Sequence, residues 1–457
     1  MRLSLTTLTF AFCALALGWS CDGGSGIGKS HALFSDEEWD IVRSLAFWAD
    51  PPADPTNAVA DDAAAAMLGQ KFFFDSRFSG PLVHPDNENA AEGGNGSVGT
   101  VGAISCARCH DPDAGFSDRT SVPATSSLAA GRTQRHTQSV LNAAYQDWFF
   151  WDGRADSLWS QALGPIESPD EHNFNRVGVV QLIFSKYRGE YEAIFGAMPS
   201  FDDDTRFPQV PNPPAFEGQG RPGDGPGGAG LDSFDEISES DQALVNEAFA
   251  NFGKSIAAYE RQLVSRNSAF DRFVDGEENA IGAAAKRGLK LFIGDAFCVS
   301  CHNGSNFSDG EFNNTGLAQS GAFIPLSDSG RFGGVPLVLT DPFNGEGGFS
   351  DSTSTGSAKL SGLVQEESQR GRFKTPSLRS ISDTGPYFHT GSLRSLREVV
   401  EFYNRGGDGN GFDGVADPLM VPLGLNDEQL SDLVEFLETL SGEELPIGLR
   451  VTPTLPP

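Results

Sequence analysis

Basic side chains are scarce in this chain. Its 457 residues include 32 Lys and Arg against 62 Asp and Glu, so the formal net charge is −30. A surface of this sign repels phosphate groups, and the composition therefore excludes a nucleic-acid-binding protein. It permits a basic redox partner, although acidity alone is also typical of proteins that are simply soluble. A chain of this length is expected to form two domains.

Long apolar runs are missing beyond the first residues. The opening segment, MRLSLTTLTFAFCALALGWSC, has a basic residue, an apolar stretch and a cleavage-like box, which predicts a signal peptide at residues 1–20. Lipoprotein processing would leave a lipid on Cys21 at the start of a polar tether, 21–34, and ordinary cleavage nearby is the alternative. We therefore expect a protein of the periplasm or cell envelope that meets the membrane only through such an anchor.

Cysteine is rare, and four of the 6 cysteines form two copies of one pattern. The copies are Cys106, Cys109 and His110 in CARCH, and Cys298, Cys301 and His302 in CVSCH. C-x-x-C-H is the attachment motif of c-type haem, in which both thiols bind the haem and the histidine is an iron ligand. The sequence thus predicts two covalently bound haems.

Two other sites use paired cysteines. A thioredoxin-like redox pair does not need a histidine directly after it. A four-ligand zinc site would require the two motifs to meet, and it does not explain a histidine after each pair. The repeated histidine favours haem over both alternatives.

Each motif lies in a similar local sequence. An Ala-rich amphipathic pattern precedes both motifs, with LGQKFF from Leu68 and RGLKLF from Arg287, and FSD follows both, at Phe116 and Phe307. This repetition predicts a mainly α protein with two cytochrome c-like haem domains that arose by internal duplication. We place the N-terminal haem domain at 35–275 and the C-terminal haem domain at 276–445.

Local signals also predict the elements between the motifs. Capping residues predict helices over 39–49 and 426–440, a helical pattern predicts one over 395–403, and apolar spacing predicts a long helix over 241–265. The stretches 199–235 and 316–370 are rich in Gly, Pro and Asp without periodicity, so we expect long irregular loops there.

Other phrases of the chain resemble the bacterial diheme cytochrome c peroxidase/MauG family. They are LGQKFFFDSRFSG at 68–80, FWDGR at 150–154, GPIESPDE at 164–171 and FKTPSLRSISDTGPYFHTG at 373–391. The resemblance extends over most of the chain after the signal segment, apart from the two long loops. It implies two haems that face a shared interface, a peroxide-reactive one on His110 and an electron-transfer one on His302.

The resemblance also implies roles for individual side chains. Trp151 would relay electrons between the haems, and Glu171 would be the acid–base residue that moves a proton between the peroxide oxygens. Gln161 and Pro165 match pocket positions of the MauG type. By position alone, a surface carboxylate is the better interpretation of Glu171, and a core aromatic residue is the better interpretation of Trp151.

The resemblance further indicates what lies on the far side of each iron. No histidine occurs between His110 and His136, so the N-terminal haem is expected to be five-coordinate and open. The C-terminal iron ligand opposite His302 corresponds to Tyr403, while Met420 is the only methionine downstream.

Members of the family also hold a calcium ion. Its two carbonyl ligands correspond here to Thr384 and Pro386, and its Asn ligand corresponds to His136. A hard cation prefers oxygen to imidazole, which argues against calcium at this site.

Three functions are compatible with these residues. In the first, the enzyme reduces hydrogen peroxide with electrons from a small cytochrome c or cupredoxin. In the second, it oxidises Trp or Tyr residues of a partner protein in the MauG manner, which an open N-terminal haem and Tyr403 favour. In the third, it is a diheme electron carrier without peroxidase activity, which the Glu171 and Trp151 motifs disfavour.

Overall fold

The computed structural model describes residues 33–46, 50–89, 91, 93–121, 126–207 and 234–457. The predicted signal peptide, Cys21 and most of the predicted tether lie outside the described residues. None of the helices within the described ranges combines the length and apolar content that a membrane crossing requires.

Helices make up most of the regular structure, as predicted. They are α1 (Asp36–Ala46), α2 (Ala63–Phe74), α3 (Cys106–Cys109), α4 (Leu158–Gln161), α5 (Gly164–Glu167), α6 (Arg176–Leu182), α7 (Arg188–Phe195), α8 (Glu239–Glu260), α9 (Ala269–Val274), α10 (Ala283–Ile293), α11 (Arg331–Thr340), α12 (Thr353–Leu360), α13 (Leu396–Asn404), α14 (Asp427–Glu438) and α15 (Ile447–Arg450). Two short strands, β1 (Phe312–Asn313) and β2 (Phe373–Lys374), pair antiparallel.

The predicted caps are present. Ser35 and Glu38 exchange the two hydrogen bonds of a capping box at α1, and Asn426 does the same with Gln429 at α14. Ser395 caps α13 in a third capping box. These caps satisfy backbone N–H groups that the first helical turn leaves without a carbonyl, which is why the sequence marks these starts well.

The apolar side chains form two large cores. The first lies between α2 and α8 and contains Phe72, Trp159 and Phe252. The second lies between α10 and α14 and contains Phe292 and Phe436. Helix α1 packs in this second core through Trp39, Val42 and Leu45, although it precedes the first core in the chain.

Each core has a close helix crossing that depends on one glycine. A Cβ added at Gly69 of α2 would overlap the backbone carbonyl of Ser255 in α8. A Cβ added at Gly288 of α10 would overlap the carbonyl of Asp432 in α14 in the same way. Gly69 and Gly288 occupy equivalent places in LGQKFF and RGLKLF. The two similar phrases therefore build the same kind of crossing.

Residues 137–165 and 375–403 follow the same backbone course, with an offset of 238 positions (137 to 375). Positive φ angles recur at matching places: Asn142 57°, Phe150 61° and Gly153 67° in the first segment, and Ser380 58°, Phe388 66° and Gly391 63° in the second. In both segments a bridge closes the turn, Phe149 with Ala155 and Tyr387 with Leu393. Non-glycine residues rarely adopt positive φ, so this agreement is specific.

The expectation of an irregular loop over 316–370 is wrong in part, because α11 and α12 lie within it. Gly333, Gly334 and Pro336 lower the helix propensity of α11 and obscured it. Tertiary contacts outweigh that penalty: Val335 and Val338 are fully buried. Of the other predicted loop, 199–235, residues 208–233 lie outside the described ranges.

Candidate functional site

The first cysteine pair lies on a single helical turn. Cys106 and Cys109 begin and end α3, and within the described chain neither forms a disulfide. The backbone N–H of His110 donates to the carbonyl of Cys106 (2.8 Å), which places the imidazole beside the thiols. The His110 Nδ1 lies 3.3 Å from the carbonyl oxygen of Phe116, the phenylalanine of FSD.

The second pair repeats this arrangement. Cys298 begins a short 3₁₀ turn, and the N–H of His302 donates to its carbonyl (2.8 Å). The His302 Nδ1 lies 2.9 Å from the carbonyl oxygen of Phe307 in the second FSD. Phe116 and Phe307 both have positive φ, 54° and 50°, a backbone conformation that is unusual for phenylalanine. The FSD motif therefore aims a carbonyl at the histidine.

These bonds select the tautomer of both histidines. An Nδ1–H that donates to a carbonyl leaves Nε2 with a free lone pair, which is the usual arrangement of a metal-bound histidine. Burial lowers the pKa of His110 to about 4 and also lowers the pKa of His302, so both rings are neutral. Among the described residues, no group of three or more His, Cys, Asp or Glu side chains is arranged to hold a metal ion.

Each motif forms part of the wall of a large cavity. The N-terminal cavity contains Cys106, Cys109 and His110, and the C-terminal cavity contains Cys298, Cys301 and His302. The empty space is about 1950 and 1900 Å³ respectively, part of it open to solvent. Burial raises the pKa of Cys109 and Cys298 to about 12, so these thiols stay uncharged. Thiols and an imidazole acceptor on one cavity wall are the donor set that a c-type haem requires.

The predicted catalytic residues converge on the N-terminal cavity. Glu171, Gln161, Pro165 and Trp151 all form part of its wall. Burial is the main cause that raises the pKa of the Glu171 carboxyl, and the nearby Arg154 opposes the rise. A carboxyl in such an environment keeps its proton closer to neutral pH than an exposed one does.

Tyr403 and His302 both lie in the wall of the C-terminal cavity. Burial raises the pKa of its phenol, and the nearby Cys298 and Cys301 add to this rise. Met420, which lies in a loop between α13 and α14, belongs to the same wall.

Trp151 belongs to the walls of both cavities. Its indole N–H donates to the carbonyl of His136 (2.8 Å). Two reciprocal backbone bonds join the halves around it: His136 N–H donates to the carbonyl of His389, and Lys374 N–H donates to the carbonyl of Trp151, each at 2.8 Å. The tryptophan is therefore held at the boundary between the cavities.

His389 is a residue of this boundary that the sequence did not single out. Its ring contacts the Trp151 ring edge to face, with centroids 6.2 Å apart, and stacks on Phe373 at 3.6 Å. Its Nε2 lies 2.6 Å from the side-chain amide of Gln319. FHTG at 388–391 matches FWDG at 150–153, and this match could have identified His389 as the counterpart of Trp151.

Two further ionisable side chains, which the sequence analysis did not single out, belong to the wall of the N-terminal cavity. Glu260, at the end of α8, is 3% exposed, and its Oε2 has no hydrogen-bond partner among the described residues. Burial raises the pKa of Glu260 to about 8. The Nε2 of His172 lies 3.9 Å from the Cys106 sulfur. The local sequence around Glu260 and around His172 does not indicate that both side chains reach the same cavity wall.

The predicted calcium positions come together but do not fit the ion. Thr384, Pro386 and His136 all belong to the wall of the C-terminal cavity. The threonine carbonyl already accepts a bond from Ser117 Oγ (3.4 Å). The imidazole of His136 stands where an oxygen ligand is needed, so the set does not match the six to eight oxygens that calcium prefers.

The chain is similar to several known proteins. Residues 63–212 match the family described as di-haem cytochrome c peroxidase. The methylamine utilization protein MauG of Methylorubrum extorquens is 32% identical over 93% of this chain and 92% of its own length. The cytochrome-c peroxidase IdrP2 of Denitromonas iodatirespirans is 30% identical over 87% of this chain and 86% of its own length.

Solved structures agree on the fold. A MauG-like protein associated with microbial copper homeostasis superposes with a TM-score of 0.57 and 23% identity over 89% of this chain and 98% of that one. The diheme peroxidase BthA of Burkholderia thailandensis gives a TM-score of 0.57 and 20% identity over 88% of this chain and 93% of that one.

Proposed function

Because the chain belongs to the di-haem cytochrome c peroxidase family, we propose that it reduces hydrogen peroxide in the N-terminal cavity with electrons that enter through the C-terminal cavity. One peroxide, two electrons and two protons yield two waters. The two haems, when bound, supply the iron that activates peroxide and hold the electrons. Cys106, Cys109 and His110 would hold one haem, and Cys298, Cys301 and His302 the other.

Glu171 is the proton-transfer group of this proposal. Its partly buried carboxyl has a raised pKa, so it can accept a proton from one peroxide oxygen and return it to the other. Gln161 and Pro165 lie in the same wall and shape the space around the peroxide. The electron carrier without peroxidase activity, our third alternative, would have no use for these groups.

The position of Trp151 carries the proposal. A relay between two haem sites must adjoin both of them and must not move, and Trp151 lies in both cavity walls with its N–H bonded to His136. The three backbone and indole bonds at this boundary restrict its rotation. Trp151 thus connects the electron-donating cavity with the peroxide cavity.

The test is Trp151→Phe in the holoprotein. We expect peroxide to oxidise the C-terminal haem much more slowly in stopped-flow absorbance, while both ferric haem spectra stay unchanged. Trp148→Phe is the matched control, because Trp148 is close in sequence and stacks on Arg331 (4.2 Å) outside both cavity linings. Equal rates in wild type and Trp151→Phe would rule out the relay.

Oxidation of Trp or Tyr residues in a partner protein is the second candidate. Tyr403 in the C-terminal cavity favours it, because a phenolate ligand stabilises oxidised iron. The similarity to MauG of Methylorubrum extorquens is a further reason to test it.

The two candidates differ in how the oxidised enzyme is reduced. A peroxidase that uses a small c-type cytochrome or cupredoxin should oxidise many equivalents of the reduced donor per enzyme after peroxide is added. An enzyme specialised for a partner protein should oxidise neither donor at a useful rate and should retain its oxidised spectrum for longer. Stopped-flow mixing with each reduced donor separates these outcomes.

We also infer that the two halves arose by duplication of one haem domain. The offset of 238 positions, the paired glycines at helix crossings and the two FSD carbonyls support this inference. The division at 35–275 and 276–445 remains our proposal for the domains, with α1 packing across the division onto the second core.

Export to the periplasm or cell envelope is part of the proposal, since c-type haem is attached outside the bacterial cytoplasm. We propose that Cys21 carries a lipid. Fractionation of cells tests this directly: Cys21→Ser should move the holoprotein from the membrane fraction to the soluble fraction. Wild-type protein in the soluble fraction would contradict the lipid anchor and leave export intact.

A further inference from the structure

One part of the N-terminal cavity wall comes from the C-terminal half of the chain. Between FSD and the repeated segment that begins at 137 or 375, the first half has only residues 119–136, whereas the second half has residues 310–374, which include α11 and α12. The N-terminal cavity wall contains six residues of this longer stretch: Ser327, Asp328, Ser329, Gly330, Gly333 and Leu337. The longer stretch therefore crosses to the other half and forms one side of its cavity.

Helix α11 is fixed to the FWDGR turn of the first half. The guanidinium of Arg331, in the first turn of α11, donates to the carbonyls of Gly153 (2.6 Å) and Asp152 (3.3 Å). A Cβ added at Gly334 would lie 2.2 Å from the carbonyl oxygen of Asp152, so the helix and the turn approach each other at the backbone. These contacts hold α11 in one position on the cavity wall.

The turn that holds α11 lies close to the proton-transfer group of the proposed function. Arg154 follows directly after Gly153, and its charge opposes the rise in the pKa of the Glu171 carboxyl, so the two side chains are near each other. The Arg154 guanidinium also lies 3.6 Å from the centre of the Phe150 ring and covers that apolar surface with a polar group. Helix α11 therefore adjoins the part of the cavity in which peroxide would react.

The face of α11 that meets the cavity leads from the interior to the solvent. Gly330, Gly333 and Leu337 are spaced by three and four residues, which places them on one face. Gly330 is buried, Gly333 is half-buried and Leu337 is 52% exposed, so Leu337 stands at the mouth of the cavity. Of these three residues, Leu337 alone has a side chain that can obstruct the passage of a molecule.

We propose that Leu337 is the specificity-determining residue at this mouth: its branched side chain admits hydrogen peroxide and excludes bulky organic hydroperoxides. The inference rests on the proposed function, because it assumes a haem on His110 that meets peroxide in this cavity. An organic hydroperoxide carries an alkyl or aryl group that must pass Leu337, and α11 is held too firmly to yield. A misfit of a single methylene in a rigid pocket changes substrate selection by about tenfold or more.

The test compares the binding of two probes of different size, imidazole and phenylimidazole, to the ferric holoprotein. Haem absorbance reports binding, and competition with hydrogen peroxide locates each probe in the N-terminal cavity. Leu337→Ala should raise the affinity for phenylimidazole relative to imidazole by about tenfold or more. Leu339→Ala is the matched control, because Leu339 is 41% exposed on the same helix and does not belong to the wall that the described residues form. It should leave the relative affinity unchanged.

Steady-state kinetics give a second readout. In Leu337→Ala, the ratio of kcat/KM for cumene hydroperoxide to kcat/KM for hydrogen peroxide should also rise by about tenfold or more. An unchanged relative affinity in Leu337→Ala, or an equal gain in Leu339→Ala, would overturn the assignment of Leu337. Wild type that binds neither probe would instead contradict the accessible N-terminal site of the proposed function, so the two failures are distinguishable.

Discussion

Gly69→Ala should strongly destabilise the helix crossing that supports the N-terminal cavity. The new Cβ would lie 2.9 Å from the backbone nitrogen of Ile256 and closer still to the carbonyl of Ser255. A carbon and a carbonyl oxygen need about 3.3–3.6 Å, so the contact between α2 and α8 must open by roughly 1.5 Å or more. Ile256 belongs to the cavity wall, and the separation therefore reaches the haem site.

The magnitude follows from two opposing terms. Alanine gains about 1 kcal/mol over glycine inside a helix. Overpacking costs about 1–3 kcal/mol or more, and a gap of 0.5–1 Å forfeits about a quarter to a half of each dispersion contact. Phe72 lies in this contact with its ring 4.8 Å from that of Phe252, so the loss is extensive. We expect a net loss of about 2 kcal/mol in the free energy of unfolding, the upper overpacking cost less the gain in helix propensity.

The measurement is urea unfolding of the holoprotein followed by far-UV circular dichroism and haem absorbance. Gly189→Ala in α7 is the control, because nothing lies within 4 Å of its added Cβ, and it should stabilise by about 0.5–1 kcal/mol. Gly288→Ala should reproduce the loss in the second core, where the added Cβ meets Asp432. A Gly69→Ala midpoint equal to wild type would refute the close approach.

Three further predictions concern buried ionisable side chains. The Glu260 carboxyl has a pKa of about 8 in the folded protein against a usual value of 4.5, so the free energy of unfolding should fall as the pH rises from about 4.5 to 8. Glu260→Gln should remove this pH dependence and raise the free energy of unfolding by up to about 4–5 kcal/mol at pH 8. Urea unfolding at a series of pH values measures both effects. A pH-independent wild type would contradict this. Asp271→Asn leaves Arg379, 2.7 Å from that carboxylate, without its buried counter-charge, and should cost about 3–5 kcal/mol in the same assay. Lys374 is a buried amine whose pKa burial lowers to about 7, and Lys374→Met should lower the reduction potential of the C-terminal haem, while Lys374→Arg should preserve it in a redox titration. An unchanged reduction potential in Lys374→Met would contradict this prediction, because it would mean that the Lys374 ammonium lies too far from the haem to affect it.

Local patterns predicted the parts of the site that depend on adjacent residues. CARCH and CVSCH identify the haem ligands because the two thiols and the histidine act within one helical turn. The helix starts at Ser35 and Asn426 were equally predictable, because a cap is made by residues three positions apart. Helix α11 was not predictable, since buried contacts outweigh its unfavourable composition.

The resemblance predicts that Glu171, Gln161 and Pro165 share one pocket, and all three belong to the N-terminal cavity wall. It did not indicate Glu260, because this residue ends a helix that begins far from the haem motif. It did not indicate His389 either. Both residues reach the site through the packing of elements that are distant in the chain.

The sequence by itself predicted two c-type haems and the cysteines and histidines that would hold them, and it predicted correctly that the chain is mainly helical. Only the tertiary structure decided that Trp151 adjoins both cavities and that His389 faces it across the boundary. It also placed Pro165 in the wall of the N-terminal cavity and Tyr403 in the wall of the C-terminal cavity. The reason is physical: the thiols and the histidine of each motif lie within one turn, whereas the positions of Trp151 and His389 depend on how two similar halves are packed against each other.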